Sequence, residues 1–187
     1  MLLLSEHLQT IPIMSLQTGS ELAKTSLPII DPKDLSVIAS YVEGPGIGTD
    51  PRVLFMSDIR EAGELGYIVD DSNSIMTLEG LVRLQAIVDE HFDIIGMLVV
   101  DNTGEKIGKV EDFSFNPNDF MIYQLFVKTS ILRGFLSDTR IIHRTQIIDV
   151  TPQKIIVETP NIRDRVKSTK DAAALVNPFR APGTETR

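Results

Sequence analysis

The sequence predicts a mainly β protein, with two small β-barrels joined by a linker helix and followed by a flexible C-terminal tail. Three observations support this fold class. The sequence repeats itself at an offset of about 85 residues. Short apolar runs are separated by turns rich in Gly, Asn and Pro. A single segment between the two copies has apolar residues near helical spacing.

The internal repeat is visible without gaps over two stretches of the chain. A shift of 85 residues places Thr18 on Thr103, and a shift of 88 residues places Arg52 on Arg140. The change from 85 to 88 requires three extra residues in one loop of the second copy. A repeat that keeps its turn residues and its apolar pattern indicates two copies of one fold unit.

The second copy has the clearest strand signals. An apolar run at 97–100 is followed by a tight turn containing Asn102, and residues 106–115 then alternate, with a bulge or bend expected at Gly108. A turn at 116–119 leads into a third strand at 121–127. Shorter extended segments follow at 140–143, 147–150 and 154–158.

The first copy follows the same route, although Ser26-Leu27-Pro28 interrupts its second strand. Its central turn is at 31–34 and its third strand is at 37–42. After this copy, apolar residues near helical spacing predict a linker helix with Thr77 as its N-cap. We expect that helix to cover the seam between the two units.

These patterns divide the chain into a first barrel at 1–71, a linker strand and helix at 72–92, a second barrel at 93–160 and a flexible tail at 161–187. Each barrel has roughly 60 residues, and domains of that size bury little surface when they fold alone. We therefore expect the two barrels to bury apolar area against each other or against another chain.

Charge and composition restrict the classes of function. The 187 residues carry a net charge of −8 and include no Cys. Residues 163–187 contain six basic and three acidic groups, which gives +3 and leaves −11 for the rest of the chain. A body this acidic repels phosphate backbones, so nucleic-acid binding is not expected of it. Without Cys, a signal peptide or an apolar run of spanning length, a cytoplasmic protein is the simplest interpretation.

The run from Gly96 to Asp112 resembles the opening of a PRC-barrel domain: a Val-Val-Asp strand, a Gly-bearing turn, and Ile-Gly-Lys-Val leading into the next strand. The segment from Arg140 to Ile147 is similar to the family's strand ahead of its closing hairpin. The resemblance covers residues 94–158 and, through the repeat, extends faintly to 11–70. It implies small β-barrels that serve as docking modules, without catalytic residues shared across the family.

No motif in the sequence indicates a catalytic, cofactor or metal site. The three His residues are scattered and lack metal-ligand spacing. Two features are candidates for partner binding. One is an apolar loop with Leu132, Phe135 and Leu136, which alternatively packs on a barrel. The other is an aromatic anchor in the tail, formed by Pro178, Phe179 and Arg180.

The leading hypothesis is a non-enzymatic adaptor that docks onto an unidentified cytoplasmic protein or assembly, with a homo-oligomer left open. The alternative is an assembly factor that resembles ribosome maturation proteins and uses its basic tail near RNA. We expect the tail to be dispensable for folding but needed for partner capture, with Phe179 contributing more than Arg187.

Overall fold

The computed structural model describes residues 1–63, 65–129 and 138–158. In these residues the chain is mainly β, as its alternating pattern predicts, and its strands form two seven-stranded sheets. The strands of the first sheet are β2 (Pro12–Ser15), β3 (Glu21–Asp31), β4 (Ser36–Glu43), β5 (Arg52–Phe55), β6 (Glu61–Gly63), β7 (Gly66–Val69) and β8 (Ile75–Thr77).

The second sheet contains six strands from the second copy and one from the N-terminus. Its strands are β1 (Leu3–Leu4), β9 (Leu98–Asp101), β10 (Lys106–Phe115), β11 (Ile122–Thr129), β12 (Asp138–His143), β13 (Ile147–Val150) and β14 (Lys154–Val157). The α-helix of the described residues, α1 (Val82–Asp89), lies between the two sets of strands in sequence. Short 3₁₀ turns follow both β5 and β12, at Met56–Asp58 and Arg144–Gln146.

The two sheets have the same strand order. The first runs β6-β7-β2-β3-β4-β5, with β8 added beside β5, and the second runs β13-β14-β9-β10-β11-β12. Each sheet contains one parallel pair of strands, which is β2 with β7 in the first sheet and β9 with β14 in the second. The other strand pairs are antiparallel. This shared topology is what the internal repeat predicts.

Strand registers agree between the sheets when the two sequence offsets are applied. Ser40 pairs with Leu54 in the first sheet, and Leu125 pairs with Ile142 in the second, at positions 85 and 88 residues further along. The offset therefore changes in the loop after β4 and β11, as the sequence indicates. An additional one-residue difference lies in the first hairpin, whose turn spans 16–20 in the first copy and 102–105 in the second.

Two predictions about the second strand of each unit, β10 and β3, have different outcomes. The bulge expected at Gly108 is present, as a register shift between Lys106 and Gly108. The interruption expected at Ser26-Leu27-Pro28 is absent, because β3 continues through it with a register shift between Thr25 and Pro28. A bulge accommodates the Pro, which cannot donate to the ladder, without ending the strand.

The two sheets share one hydrophobic core. A single cluster contains Ile13 and Leu54 from the first sheet and Phe113 and Phe115 from the second, and all four are buried. The backbones also meet, in an antiparallel bridge between Ser36 and Met121. This shared core supplies the burial that neither small unit would reach alone.

The linker helix starts later and lies elsewhere than the sequence predicts. Thr77 is the last residue of β8, and α1 begins at Val82 with Leu81 as its N-cap residue. The helix does not cover the seam between units: it packs on the outer face of the first sheet, with Leu84 against Val53. Gly80, with φ of +89°, forms part of the turn that brings the chain onto this face.

The N-terminal residues cross from the first unit to the second. Leu3 and Leu4 pair with Phe115 and Ser114 of β10, and the Ser5 hydroxyl donates to Asp112 Oδ1 at 2.6 Å. The first residues of the chain therefore complete the sheet that its second half builds.

Candidate functional site

The six partner-binding residues predicted from the sequence lie outside the described residues. Leu132, Phe135 and Leu136 belong to the gap at 130–137, and Pro178, Phe179 and Arg180 lie beyond residue 158. The structure therefore neither brings them together nor separates them.

A groove of about 1210 Å³ lies between the two units. Its floor is the outer face of the first sheet, at Ile38 and Phe55. One wall is the beginning of α1, and the opposite wall is formed by the 3₁₀ turn Met56–Asp58 and β6. The end of the groove is closed by the β10–β11 turn, which belongs to the second unit. The groove thus exists only when both units and the helix are assembled.

Apolar side chains make up the centre of this groove. Ile38 and Phe55 are half-buried and pack against the cluster that contains Leu84 of the helix. Val82, at the start of α1, lines the groove and is 77% exposed. Exposed apolar surface rimmed by polar residues is typical of interaction sites.

Arg60 at the rim is held by a carboxylate. Its Nε and Nη2 donate to Asp70 Oδ1 and Oδ2 at 2.9 and 2.7 Å, the two-pronged geometry that suits guanidinium and carboxylate groups. The hydrogen bond from Arg60 lowers the pKa of Asp70, and the same bond raises the pKa of Arg60. The remaining charges of the rim are the acids Asp34, Glu61 and Asp119 and the base Arg83.

Two of the rim carboxylates occupy equivalent positions in the two copies and order their turns. Asp34 accepts hydrogen bonds from the amide and hydroxyl of Ser36, at 3.0 and 2.6 Å. Asp119 accepts from the Met121 amide at 2.9 Å and from the Tyr123 hydroxyl at 3.1 Å. The hydrogen bond to Asp119 raises the pKa of Tyr123. Both carboxylates also line the groove.

Polar side chains elsewhere in the described residues serve turns and caps. His143 Nδ1 accepts from the Thr145 amide at 3.4 Å, and Gln146 Oε1 accepts from the His143 amide at 2.8 Å, which together cap a 3₁₀ turn. Within the described ranges, no three His, Asp or Glu side chains converge in a way that could hold a metal ion.

The second unit is assigned by a comparison with protein-family models. The model of the PRC-barrel domain matches residues 88–163, which include every strand from β9 to β14. The second unit is a PRC-barrel domain. This confirms the resemblance stated for residues 94–158, while the first copy lies outside the match. No curated protein matches the chain. The helix present in the described part is too short to span a membrane.

The PRC-barrel domain supplies one end of the groove, and sequence patterns alone missed this arrangement. The repeat predicts the β10–β11 turn of the PRC-barrel domain, yet it does not predict that this turn meets the sheet and helix of the other unit. One available signal was Val82, an apolar residue on the side of α1 that faces away from the sheet. An exposed Val at a helix start is weak evidence by itself.

Proposed function

We propose that this chain is a non-catalytic cytoplasmic adaptor made of two PRC-like units, with residues 1–71 as a divergent first copy of the PRC-barrel domain. The proposed copy is supported by the strand order and registers that the two sheets share. The cytoplasmic location is supported by the absence of Cys from the sequence.

The observation that carries the adaptor role is the groove between the two units. Its apolar floor, its volume and its polar rim match the features of a surface that receives a segment of another protein. Because both units and α1 contribute to it, the groove couples partner binding to the assembled state of the chain.

Charge indicates the chemistry of the partner. Arg60 already binds Asp70, so three carboxylates and Arg83 remain to meet a ligand at the rim. The acidic charge of the whole body acts in the same direction. We propose that the partner presents a large apolar side chain beside Lys or Arg residues.

A catalytic role is not part of this proposal. The side chains of Asp101 and His143 hydrogen-bond within turns of the second unit and do not line the groove. General acid or base catalysis needs such groups directed into a concave site beside a substrate.

Binding can be tested with Val82→Lys, which places a positive charge in the groove at a position that is already exposed. Leu16→Lys is the matched control, because Leu16 is 67% exposed and does not line the groove. We expect peptides with one aromatic and two Lys residues to bind the wild type and the control, and to bind Val82→Lys at least about tenfold more weakly. Peptides with Glu in place of Lys should not bind. Equal affinity of all three proteins would contradict the proposal.

The alternative assembly-factor role makes a different prediction. If the basic tail acts near RNA, capture of partners from a lysate is lost after nuclease treatment and is unaffected by Val82→Lys. The adaptor proposal requires nuclease-resistant capture that Val82→Lys abolishes and Leu16→Lys preserves.

A further inference from the structure

The outer faces of the two sheets differ in what covers them. In the first sheet, Val53 is completely buried because Leu84 of α1 packs over it. The equivalent residue of the second sheet is Ile141, 88 residues later, and it is 43% exposed. The same place in the fold is thus covered by a helix in one unit and uncovered in the described part of the other.

The uncovered face has an apolar centre with polar surroundings. Ile141 pairs directly with Phe126, as Val53 pairs with Tyr41 in the first sheet. Beside this pair, the Ser114 hydroxyl donates to Gln124 Oε1 at 3.1 Å. Apolar side chains that pair across two strands on an exposed face leave surface that a further apolar segment can bury.

The sequence after β14 is long enough to include a counterpart of α1 at the same distance from the preceding strand. β7 ends at Val69 and α1 begins at Val82, whereas β14 ends at Val157. The offset of 88 that relates these strands places the counterpart of α1 at Lys170–Asn177. The chain outside the structure therefore includes a segment with the spacing of the covering helix.

The residue types of this segment match those of α1 on the side of the helix that packs on the sheet. In α1, Leu84, Ile87 and Val88 face the sheet, whereas Gln85 is exposed. Their counterparts are Ala172, Leu175, Val176 and Ala173, so each sheet-facing position is again apolar.

The ends of the segment are also suited to a helix. Asp171 would lie in the first turn, where a carboxylate interacts favourably with the helix dipole. Pro178 follows Asn177 and would stop the helix at the point where α1 ends. The net charge of +3 in residues 163–187 favours docking on an acidic body.

We propose that Lys170–Asn177 of the same chain forms a helix across the outer face of the second sheet, with Ala172 over Ile141 and with Leu175 and Val176 beside Phe126. This replaces the flexible tail expected from the sequence with a docked segment. Because Ala172 is smaller than Leu84, the helix buries less area than α1 does. A helix of eight residues is marginal in water, so its helicity depends on this contact.

A disulfide cross-link tests the contact in the full chain, which has no Cys of its own. We expect the pair Phe126→Cys with Leu175→Cys to form an intramolecular disulfide under mild oxidation. Phe126→Cys with Ala173→Cys is the matched control, since Ala173 would lie on the opposite side of the helix at nearly the same tether length. This control should stay largely reduced.

Several outcomes would overturn the proposal. Equal cross-linking of both pairs would indicate a tether without a docked helix, and disulfides between two chains would indicate that a second copy covers the face. A disulfide of Val82→Cys with Leu175→Cys, in place of the Phe126 pair, would put the segment in the groove. No cross-link in any pair would also contradict it.

Hydrogen exchange provides a second measurement that needs no Cys. We expect amides of 170–177 to exchange roughly tenfold faster in Leu175→Glu than in the wild type, because the open state becomes more populated. Ala173→Glu adds the same charge on the exposed side and should leave exchange unchanged. Equal exchange in all three proteins would show that the segment is not docked.

Discussion

Leu35 and Phe120 occupy the same position in the two units and join them through reciprocal hydrogen bonds. The Ile122 amide donates to the Leu35 carbonyl at 3.0 Å, and the Val37 amide donates to the Phe120 carbonyl at 2.9 Å. Both residues have positive φ, +51° and +54°, and both are buried. Residues other than Gly seldom adopt a positive φ. The contact between the two units therefore stabilises a backbone conformation that would otherwise be unfavourable.

Phe120→Ala should strongly destabilise the whole chain. Its ring stacks on Phe115 and meets Tyr67 edge-on, with centroid distances of 6.2 and 5.9 Å. Removing a buried Phe costs about 3–5 kcal/mol of unfolding free energy. Phe120→Leu, which introduces the residue type found at position 35, should cost less than half as much. Urea unfolding measures both, and an equal loss for the two variants would contradict this role of the ring.

Gly108→Ala should destabilise the second unit because the added Cβ has no room. A Cβ at this position would lie 2.2 Å from the Lys128 carbonyl oxygen, which belongs to the neighbouring strand. Overpacking against backbone costs about 2 kcal/mol or more. Gly63→Ala is the control, since its Cβ would meet only a Glu61 side-chain oxygen at 3.7 Å. Thermal unfolding should show a lower midpoint for the first variant alone.

Asp101 should make stability depend on pH in the acid range. Its Oδ1 accepts hydrogen bonds from the Thr103 hydroxyl at 2.7 Å and the Glu105 amide at 2.8 Å, and the Thr103 bond is the main cause that lowers the pKa of Asp101. A lowered pKa in the folded state contributes stability above the unfolded value of about 3.9, and this is lost as pH falls through the folded pKa.

Asp101→Asn should therefore unfold at lower urea concentration than the wild type at neutral pH, and the difference should narrow in acid. Glu105→Gln is the control variant, because it removes a neighbouring charge but keeps the backbone amide that donates to Asp101. A difference between Asp101→Asn and the wild type that is constant with pH would count against this account.

Tyr67 should titrate last among the three Tyr residues of the chain. Burial raises the pKa of Tyr67 to about 12, compared with about 10 in the unfolded chain. Its stabilising contribution is complete below pH 10 and disappears as pH rises through 12. Phenolate absorbance of the wild type should show a late step that Tyr67→Phe lacks. If this variant retains the late step, the assignment to Tyr67 is wrong.

The sequence predicts local structure well because turns and alternation are encoded by neighbours. Gly19 and Gly104 adopt positive φ in equivalent hairpin turns, as their pattern indicates. The offsets of 85 and 88 also reproduce the strand registers, because a copied unit keeps the same pairing between its strands. Local signals of this kind depend on only a few consecutive residues.

Contacts between the units could not be predicted, because they join residues that are distant in sequence and have ordinary types. Nothing in Ser36 or Met121 indicates a bridge between two turns. The helix start was misplaced because Thr77 is a good N-cap residue that the sheet uses as a strand end instead. Tertiary pairing overrides a local preference worth only about 1 kcal/mol.

Pairing of β1 with β10 has a consequence for folding during synthesis. Phe115, the strand partner of Leu3, is synthesised more than a hundred residues after it. Until then Leu8, which is buried in the finished core, lacks the Phe113 and Phe115 side chains of its cluster. The hydrophobic core of the first unit is therefore incomplete until the second unit has been translated. Chaperones that bind exposed apolar segments on nascent chains have this interval in which to act.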